Sequence, residues 1–164
     1  MILKLCKWLA KRLPSFTIPA PDGRPYLTRY YLFGADRVWG NIFLHHFHSS
    51  DMDVAPSGEY YLHNHPWPWS FSIILVNGYI EYRRVDKDSA NLKKKEYGPG
   101  SINIITDEDF HRVSLYQDPH KQGEIKDAWS FFFTGWRSKN RSWGFWDSFT
   151  KEYLDFKNFS KAIE

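Results

Sequence analysis

The residues with the clearest chemical potential lie in the stretch EYYLHNHPWPWSF, residues 59–71. His63 and His65 are separated by one residue in a strand-like run, so their side chains point to the same face, with Cα atoms roughly 6.5–7 Å apart. Imidazole nitrogens bind Fe, Zn, Cu and Ni, but two of them hold an ion weakly. A third ligand must come from another segment. His111 is the best candidate, because it opens a strand-like run after a Pro-Gly turn and an acidic loop. The pattern predicts a divalent metal ion bound by His63, His65 and His111.

Other side chains near this pair could contact a substrate. Tyr61 has the same strand parity as His63, so we expect its hydroxyl to face the metal and to act in catalysis. Trp67 and Trp69 alternate with prolines, and they either stack on a planar or sugar ligand or cover the end of the core. His45, in the run RVWGNIFLHHFH, either lines the pocket or is an ordinary strand histidine. We predict Tyr61 as a catalytic residue and Trp67, Trp69 and His45 as substrate-binding residues.

Arginines near these segments bear on the charge of the substrate. Arg83 and Arg84 occupy successive positions of one strand, so at most one of them faces the interior. An inward arginine would favour an anionic substrate, because guanidinium pairs with carboxylate or phosphate through two hydrogen bonds. Arg112 directly follows His111 and should point away from the site.

Strands and turns must position these residues. Aromatic residues make up 19% of the 164-residue chain, and they favour pleated, half-buried surfaces. About ten short apolar runs, separated by turn residues, predict an all-β sandwich, jelly roll or small barrel. Asn77-Gly78, between WSFSIILV and YIEYRRV, is the strongest hairpin signal. We expect one domain, residues 1–164, in which residues 26–146 form the barrel.

Both ends of the chain have helical patterns. Residues 1–25 combine an amphipathic helix over residues 2–13, basic on its polar side, with a proline-rich connector that has no regular structure. This helix either packs on the barrel or on a second subunit, or touches a membrane surface. Residues 147–164 are predicted as a second helix, with Asp147 or Ser148 as its N-cap. The apolar stripe of that helix is formed by Phe149, Tyr153, Phe156 and Phe159.

Charge, cysteine content and hydropathy limit the partners and the location. A net charge of +3 is too small to indicate nucleic-acid binding. The single cysteine excludes an intrachain disulfide, and no apolar run reaches the roughly 18 residues of a membrane span. Charged residues interrupt residues 1–13, which therefore do not resemble a signal peptide. We expect a cytoplasmic protein whose partner is a small molecule.

The histidine segments resemble the two sequence motifs of the cupin superfamily. The first motif of that family contains a glycine, an HxH pair, a glutamate and a later glycine, and the second contains a Pro-Gly-type turn followed by a histidine. The resemblance spans about residues 40–135. It implies a double-stranded β-helix, or jelly roll, with a metal in its mouth, and a homodimer that pairs through edge strands. The matching residues are Gly58, His63, His65 and Gly78 for the first motif, and Pro99, Gly100 and His111 for the second.

The chain departs from the first motif at its glutamate, which should fall near residues 69–71, where the sequence is Trp-Ser-Phe. The acidic residues 107–109 precede His111, and they either supply a carboxylate instead or form a polar turn. Three histidines without a carboxylate resemble the thiol dioxygenase branch of the cupins, which implies Fe(II) and dioxygenase-type oxidation. The alternatives are an isomerase or lyase that uses Zn, Mn or Ni, a small-ligand-binding module without turnover, and a cupin that has lost its metal.

Overall fold

Strands form most of the regular structure, as the aromatic and β-branched runs predict. The computed structural model describes residues 1–20, 22–33, 40–51, 58–86, 91–121, 124–137, 143–156 and 158. Within these residues lie one helix, α1 (Ile2–Ala10), and twelve strands. The strands are β1 (Ser15–Pro19), β2 (Pro25–Tyr31), β3 (Asn41–Phe47), β4 (Leu62–His63), β5 (Trp69–Val76), β6 (Tyr79–Arg84), β7 (Leu92–Tyr97), β8 (Ile102–Thr106), β9 (His111–Leu115), β10 (Ala128–Thr134), β11 (Gly144–Trp146) and β12 (Tyr153–Asp155).

The strands form two six-stranded sheets. The first sheet has the order β1-β2-β3-β10-β5-β8, and the second has the order β12-β11-β4-β9-β6-β7. All neighbouring strands are antiparallel. Between β3 and β11 the chain passes repeatedly from one sheet to the other, which is the connectivity of a jelly roll rather than of a meander. The predicted all-β jelly-roll class is confirmed.

The facing sides of the two sheets enclose the apolar core. One cluster combines Leu27 and Phe47 of the first sheet with Tyr79 and Val113 of the second. The strands alternate as a half-buried sheet requires: on β8, residues 103 and 105 are buried while residues 102 and 104 are exposed. Side chains of inward parity on both sheets therefore meet in one interior, and any pocket between the sheets is lined by both.

The Asn-Gly pair forms a tight turn between β5 and β6, but the predicted hairpin is wrong: β5 pairs with β10 and β8 in the first sheet, whereas β6 pairs with β9 and β7 in the second. Asn77 and Gly78 both have positive φ, at 58° and 100°, a conformation that asparagine and glycine adopt more readily than other residues. A Cβ on Gly78 would collide with the carbonyl oxygen of Tyr97. Glycine is therefore required both for this close approach of the two backbones and for the positive φ. This turn carries the chain from the first sheet to the second, where β6 begins at Tyr79.

Helix α1 packs on the outer face of the first sheet. Cys6 is 2% exposed and lies in a cluster with Leu44 and Trp129. This contact confirms the expectation that the N-terminal helix packs on the barrel, and the buried Cys6 thiol has its pKa raised by desolvation. No helix among the described residues is long and apolar enough to cross a membrane.

The N-terminal connector differs from its prediction as a segment without regular structure. Residues 15–19 form β1, which pairs with β2 from Ser15 opposite Tyr30 to Ile18 opposite Leu27. The barrel therefore begins before residue 26. Of the described prolines in this connector, Pro14 precedes β1, Pro19 is the last residue of β1, where the register shifts, and Pro25 is the first residue of β2. Such edge and end positions tolerate the missing N–H group.

The predicted C-terminal helix is wrong for residues 147–155. Asp147 accepts hydrogen bonds from the backbone N–H groups of Phe149 and Thr150 at 2.8 and 3.3 Å, and Lys151 has a φ of 62°. These features make a turn, after which β12 pairs with β11. The side chain that was predicted as an N-cap closes a turn instead, since the same bonds serve both structures. Phe156 and residue 158 have helical backbone, while residues 157 and 159–164 lie outside the described residues.

Candidate metal centre

The second sheet brings the three predicted metal-binding histidines together. His63, on β4, is the direct cross-strand partner of His111, the first residue of β9. His65 follows β4, and its Nε2 lies 2.9 Å from Nε2 of His111. One ring nitrogen from each of the three histidines lies within 4.8 Å of the other two. Two segments separated by more than forty residues thus meet as the spacing predicts.

This arrangement fits a divalent ion. Nitrogens that each lie about 2.1 Å from one ion are at most about 4.2 Å apart, and the 2.9 Å separation of the His65 and His111 nitrogens is within that range. Without an ion, the same contact is a hydrogen bond in which one ring N–H donates to the other ring. A metal would take the place of that hydrogen, which makes the cluster a suitable donor set.

Glu81 orients His111. Its Oε1 accepts a hydrogen bond from Nδ1 of His111 at 2.8 Å, so Nδ1 carries the hydrogen and Nε2 keeps its lone pair for a metal. Burial alone would raise the pKa of Glu81, but hydrogen bonds from His111, Arg83 and Asn103 outweigh it and lower the pKa to about 2. Glu81, which is 1% exposed, is therefore a buried carboxylate that stays charged.

Asp51 has a similar relation to His63. Its Oδ2 lies 3.5 Å from Nδ1 of His63 and accepts a hydrogen bond from the backbone N–H of Val113 at 2.8 Å. Burial lowers the pKa of His63 to about 4, with Asp51 opposing part of that change, and burial also lowers the pKa of His65 well below its ordinary value. Both rings are therefore neutral near pH 7, which is the form that binds metals.

Glu81 and Asp51 were not singled out in the sequence. Glu81 lies on the same face of β6 as Tyr79, which directly follows the Asn-Gly turn. A carboxylate at a core-facing position of a strand is unusual and could have been recognised in the sequence. Asp51 ends the run that follows β3, where nothing distinguishes it from the loop. Neither carboxylate belongs to the three-histidine cluster: Glu81 contacts Nδ1 of His111, and Asp51 lies 3.5 Å from Nδ1 of His63.

The acidic residues 107–109 form a polar turn, which was one of the two expectations for them. Asp109 Oδ2 accepts hydrogen bonds from N–H and Oγ1 of Thr106 at 2.7 and 2.9 Å, and its Oδ1 lies 3.4 Å from Arg83. Among the described residues the metal-binding group contains no carboxylate. At residues 69–71, where the family motif has its glutamate, Ser70 is buried and donates to the Ile105 carbonyl at 3.4 Å.

A cavity of about 160 Å³ lies between the sheets and reaches the cluster. His63, His65 and His111 line it from one side, and His45 and Arg29 line it from the first sheet. Most of its other lining residues are apolar. A small molecule in this cavity would therefore contact the metal site at one end and apolar side chains along its length.

Of the predicted substrate-binding residues, His45 lies in the cavity wall. Its ring stacks on Phe132 at a centroid distance of 4.7 Å, and burial lowers its pKa well below the ordinary value. Trp67 packs behind the site: it stacks on His65 at 5.8 Å and also contacts Phe43. Trp69 is 42% exposed on the outer face of β5, where its ring stacks on Phe71. The structure thus brings His45 to the cavity and does not bring Trp69 there.

Tyr61 does not have the expected orientation toward the cavity. Its ring packs edge-on against Phe145 at 6.0 Å, with Leu154 in the same cluster, and Tyr61 is not among the described residues that line the cavity. The parity argument requires a continuous strand from residue 61 to residue 65. Because β4 contains only Leu62 and His63, side-chain alternation does not extend back to Tyr61.

The arginines near the site lie in different surroundings. Arg83 is hydrogen-bonded to Glu81 at 3.0 and 3.1 Å and to Asn103 at 2.9 Å, so its charge is neutralised within the protein. Arg84 and Arg112 stack over aromatic rings, as in the 4.1 Å approach of Arg112 to Tyr82. Nothing in the sequence singles out Arg29, which lines the cavity from β2.

Comparison with known proteins identifies similar structures but no similar sequence. No protein-family model matches the chain, and no curated protein does. Fe(II)-HppE covers 76% of the chain at 13% identity with a TM-score of 0.53, and the chain spans 56% of that protein's length. The DMSP lyase DddQ of Ruegeria pomeroyi covers 79% of this chain at 11% sequence identity, with a TM-score of 0.50. This chain spans 58% of the length of DddQ.

A predicted oxalate decarboxylase of Thermotoga maritima matches over 95% of its own length and 77% of this chain, at 10% identity with a TM-score of 0.50. Identities this low carry information on the fold alone. These neighbours are cupin-fold proteins, and the two sheets and three clustered histidines described above agree with that likeness. The chain therefore has the cupin fold, a two-sheet jelly roll with a three-histidine cluster between its sheets.

Proposed function

We propose that the protein is a metal-dependent enzyme that oxidises a small molecule at Fe(II) held by His63, His65 and His111. The observation that carries this proposal is the convergence of three ring nitrogens within 4.8 Å at the wall of the cavity between the sheets. Surface histidines do not ordinarily converge in this way, and these three have carboxylates arranged behind two of them. Such outer carboxylates are typical of metal-binding histidines.

The chain's own residues prepare the site in two ways. Burial keeps His63 and His65 neutral, so no proton has to leave before they bind an ion near pH 7. Glu81 fixes the tautomer of His111 through the 2.8 Å hydrogen bond to Nδ1.

A bound divalent ion would supply a Lewis acid with its full double charge, since all three ligands are neutral, and Fe(II) would add one-electron chemistry with O₂. The names of the structural neighbours support both redox and non-redox chemistry on this fold, because Fe(II)-HppE stands beside a lyase and a predicted decarboxylase. A lyase or isomerase that uses Zn, Mn or Ni is therefore the second candidate function. A module that binds a small ligand without turnover is the third outcome that the experiment must distinguish.

Metal analysis of protein purified without chelators tests these candidates. Iron at about one atom per chain, with O₂ consumption in the presence of small organic acids or thiols, is the expected result. Zinc, nickel or manganese without O₂ consumption would favour the non-redox enzyme. Full-length folded protein that binds none of these ions, even when they are added, would overturn the metal-dependent function and leave the binding module.

A pair of histidine variants assigns the ligands. His63→Ala should lose most of the bound metal while its circular dichroism spectrum stays that of a β protein. His120→Ala is the matched control, because His120 is exposed in the loop before β10 and is expected to keep its metal. Retention of metal by His63→Ala at the level of the control would show that the ligand assignment is wrong. The expected homodimer, the cytoplasmic location and the lack of nucleic-acid binding stay predictions.

A further inference from the structure

A row of polar side chains crosses the inner face of the first sheet. Arg29 on β2 is the direct cross-strand partner of His45 on β3, and His45 is the partner of Ser130 on β10. Arg29 and His45 line the cavity, and Ser130 has the inward parity of Phe132, which also lines it. Cross-strand partners lie about 4.5–5.5 Å apart. These three residues therefore form one strip, here called the polar row.

The polar row has hydrogen-bonding capacity that the described residues do not use. Arg29 Nε, both ring nitrogens of His45 and Ser130 Oγ are buried and have no hydrogen-bond partner among those residues. Buried polar atoms are normally paired. Four such atoms on one strip therefore mark a place where another molecule supplies the partners. Water can satisfy hydroxyl and imidazole groups, but the charge of Arg29 adds a requirement that water does not meet.

The Arg29 guanidinium brings a positive charge to the cavity without a carboxylate beside it. Its electrostatic partners among the described residues are Tyr26 and Tyr31. The two nearby carboxylates are engaged elsewhere: Asp51 with the β9 backbone and Glu81 with Arg83 and His111. An arginine does not give up its proton in a protein, and a buried charge without a counter-ion is unfavourable. An anion in the cavity would remove that penalty.

The size and lining of the cavity limit the size and polarity of the anion that could bind there. Its volume is about 160 Å³, close to that of an engineered apolar cavity that accepts benzene, so an occupant of about six to ten non-hydrogen atoms is expected. Phe47, Ile105, Val113 and Phe132 line it with carbon. Apart from its anionic group, the molecule must therefore be mainly apolar.

We propose that the cavity takes a small monocarboxylate, whose carboxylate pairs side-on with Nε and one Nη of Arg29 and whose apolar body lies against Phe47 and Phe132. His45 and Ser130 would supply further hydrogen bonds to the same end. The other end would point toward the three histidines. That this monocarboxylate is the substrate rests on the proposed function, whereas its binding to Arg29 does not require a metal.

Benzoate, with its neutral analogue benzamide, tests the binding by isothermal titration calorimetry on the metal-free protein. We expect wild-type protein to bind benzoate at least tenfold more tightly than benzamide. Arg29→Met should weaken benzoate binding at least tenfold and leave benzamide binding unchanged. It should also raise the thermal midpoint of the ligand-free protein, because an unpaired buried charge is removed. Arg24→Met is the matched control: it removes the same charge just before β2, from a side chain that is 73% exposed, and should bind benzoate like the wild type.

Benzoate affinity equal in Arg29→Met and wild type, or no preference of the wild type for benzoate over benzamide, would overturn the proposal. Should Arg29→Met fail to fold, the wild-type preference and the partial affinity expected of Arg29→Lys decide it. Metal content is measured separately, on the same variants purified without chelators, before the metal is removed for calorimetry. If benzoate binding depends on Arg29 but the protein binds no metal, this inference stands and the proposed enzyme is excluded. If the protein binds metal but benzoate binding does not depend on Arg29, the proposed enzyme stands and this inference is excluded.

Discussion

Replacement of Glu81 by glutamine separates the orientation of His111 from the mere presence of the three histidines. Oε1 of Glu81 accepts from Nδ1 of His111 at 2.8 Å and from Nδ2 of Asn103 at 2.9 Å, while Oε2 accepts from Nε of Arg83 at 3.1 Å. Glutamine has the same shape but turns one of these oxygens into an N–H₂ donor. In either orientation of the glutamine side chain, its N–H₂ group therefore faces another hydrogen-bond donor.

The magnitude follows from these two orientations. If the amide oxygen stays toward His111, the tautomer is kept and only the charge behind the ring is lost, while Arg83 retains its bonds to Asn103 and to the Ile104 carbonyl. If the N–H₂ group faces His111, the ring must place its hydrogen on Nε2, where the metal would bind. Loss of such an outer partner typically weakens metal binding 10- to 100-fold, or about 1.4–2.7 kcal/mol. The free energy of unfolding should also fall by about 1–3 kcal/mol, because a buried acceptor is lost.

The assay is competition with a chromogenic chelator, using Fe(II) under anaerobic conditions and Zn(II) as a second probe. Glu96→Gln is the control, because Glu96 lies on β7, pairs only loosely with Lys94 at 3.4 Å and has a side chain that is 59% exposed. It makes the same change of charge and should bind within twofold of the wild type. Equal affinities for Glu81→Gln and wild type, with both proteins folded, would refute the argument that Glu81 prepares His111.

Two further predictions concern stability. Burial raises the pKa of Tyr79 to about 12, above the ordinary value near 10, so the unfolded chain loses this proton first and stability falls as pH rises through this range. The free energy of unfolding, measured in urea, should decrease by about 2 kcal/mol from about pH 9.5 to about pH 11.5. The Tyr79→Phe variant should lack this decrease. If the free energy falls equally with pH in both proteins, Tyr79 is not its cause. Gly78→Ala should lower the free energy of unfolding by about 2 kcal/mol or more, because a Cβ with φ of 100° meets the Tyr97 carbonyl. Gly100→Ala, at a φ of 88° with open space around it, should lose only about 1 kcal/mol, and an equal loss at both would show that the Tyr97 contact is unimportant.

Features that depend on neighbouring residues could be predicted from the sequence. The HxH spacing places two rings on one side of the chain, and the Asn-Gly pair sets a tight turn with positive φ at both positions, although the strands beside it join different sheets instead of forming a hairpin. His111 was found because it opens a strand-like run after a Pro-Gly turn and an acidic loop. Each of these inferences needs only the geometry of a few successive residues.

Features that depend on register could not be predicted. Glu81 reaches His111 because β6 pairs with β9 so that Arg83 lies opposite His111 and Glu81 opposite Val113. A shift of one residue would turn Glu81 outward, and nothing in the sequence of β6 alone fixes that register against β9. Arg29 was missed for the same reason, since its meaning comes from the pairing with His45. Tyr61 was misplaced because the length of β4, two residues, is set by its partners β9 and β11.

The distribution of charge connects the absent motif glutamate with the polar row. Glu81 is neutralised by Arg83 at 3.0 Å, whereas the charge of Arg29 has no carboxylate beside it among the described residues, so the cavity already holds one positive charge that no neighbouring group of that part of the chain pairs with. A divalent ion on three neutral histidines would then bring two uncompensated positive charges into a site with mainly apolar walls. A glutamate ligand would remove one of them permanently. By leaving residues 69–71 without a carboxylate, the chain leaves that neutralisation to the molecule that binds, which is why an anionic substrate and a three-histidine site are expected together. It also follows that benzoate should bind more tightly to the metal-loaded protein than to the metal-free protein, and that metal should in turn bind more tightly when benzoate is present.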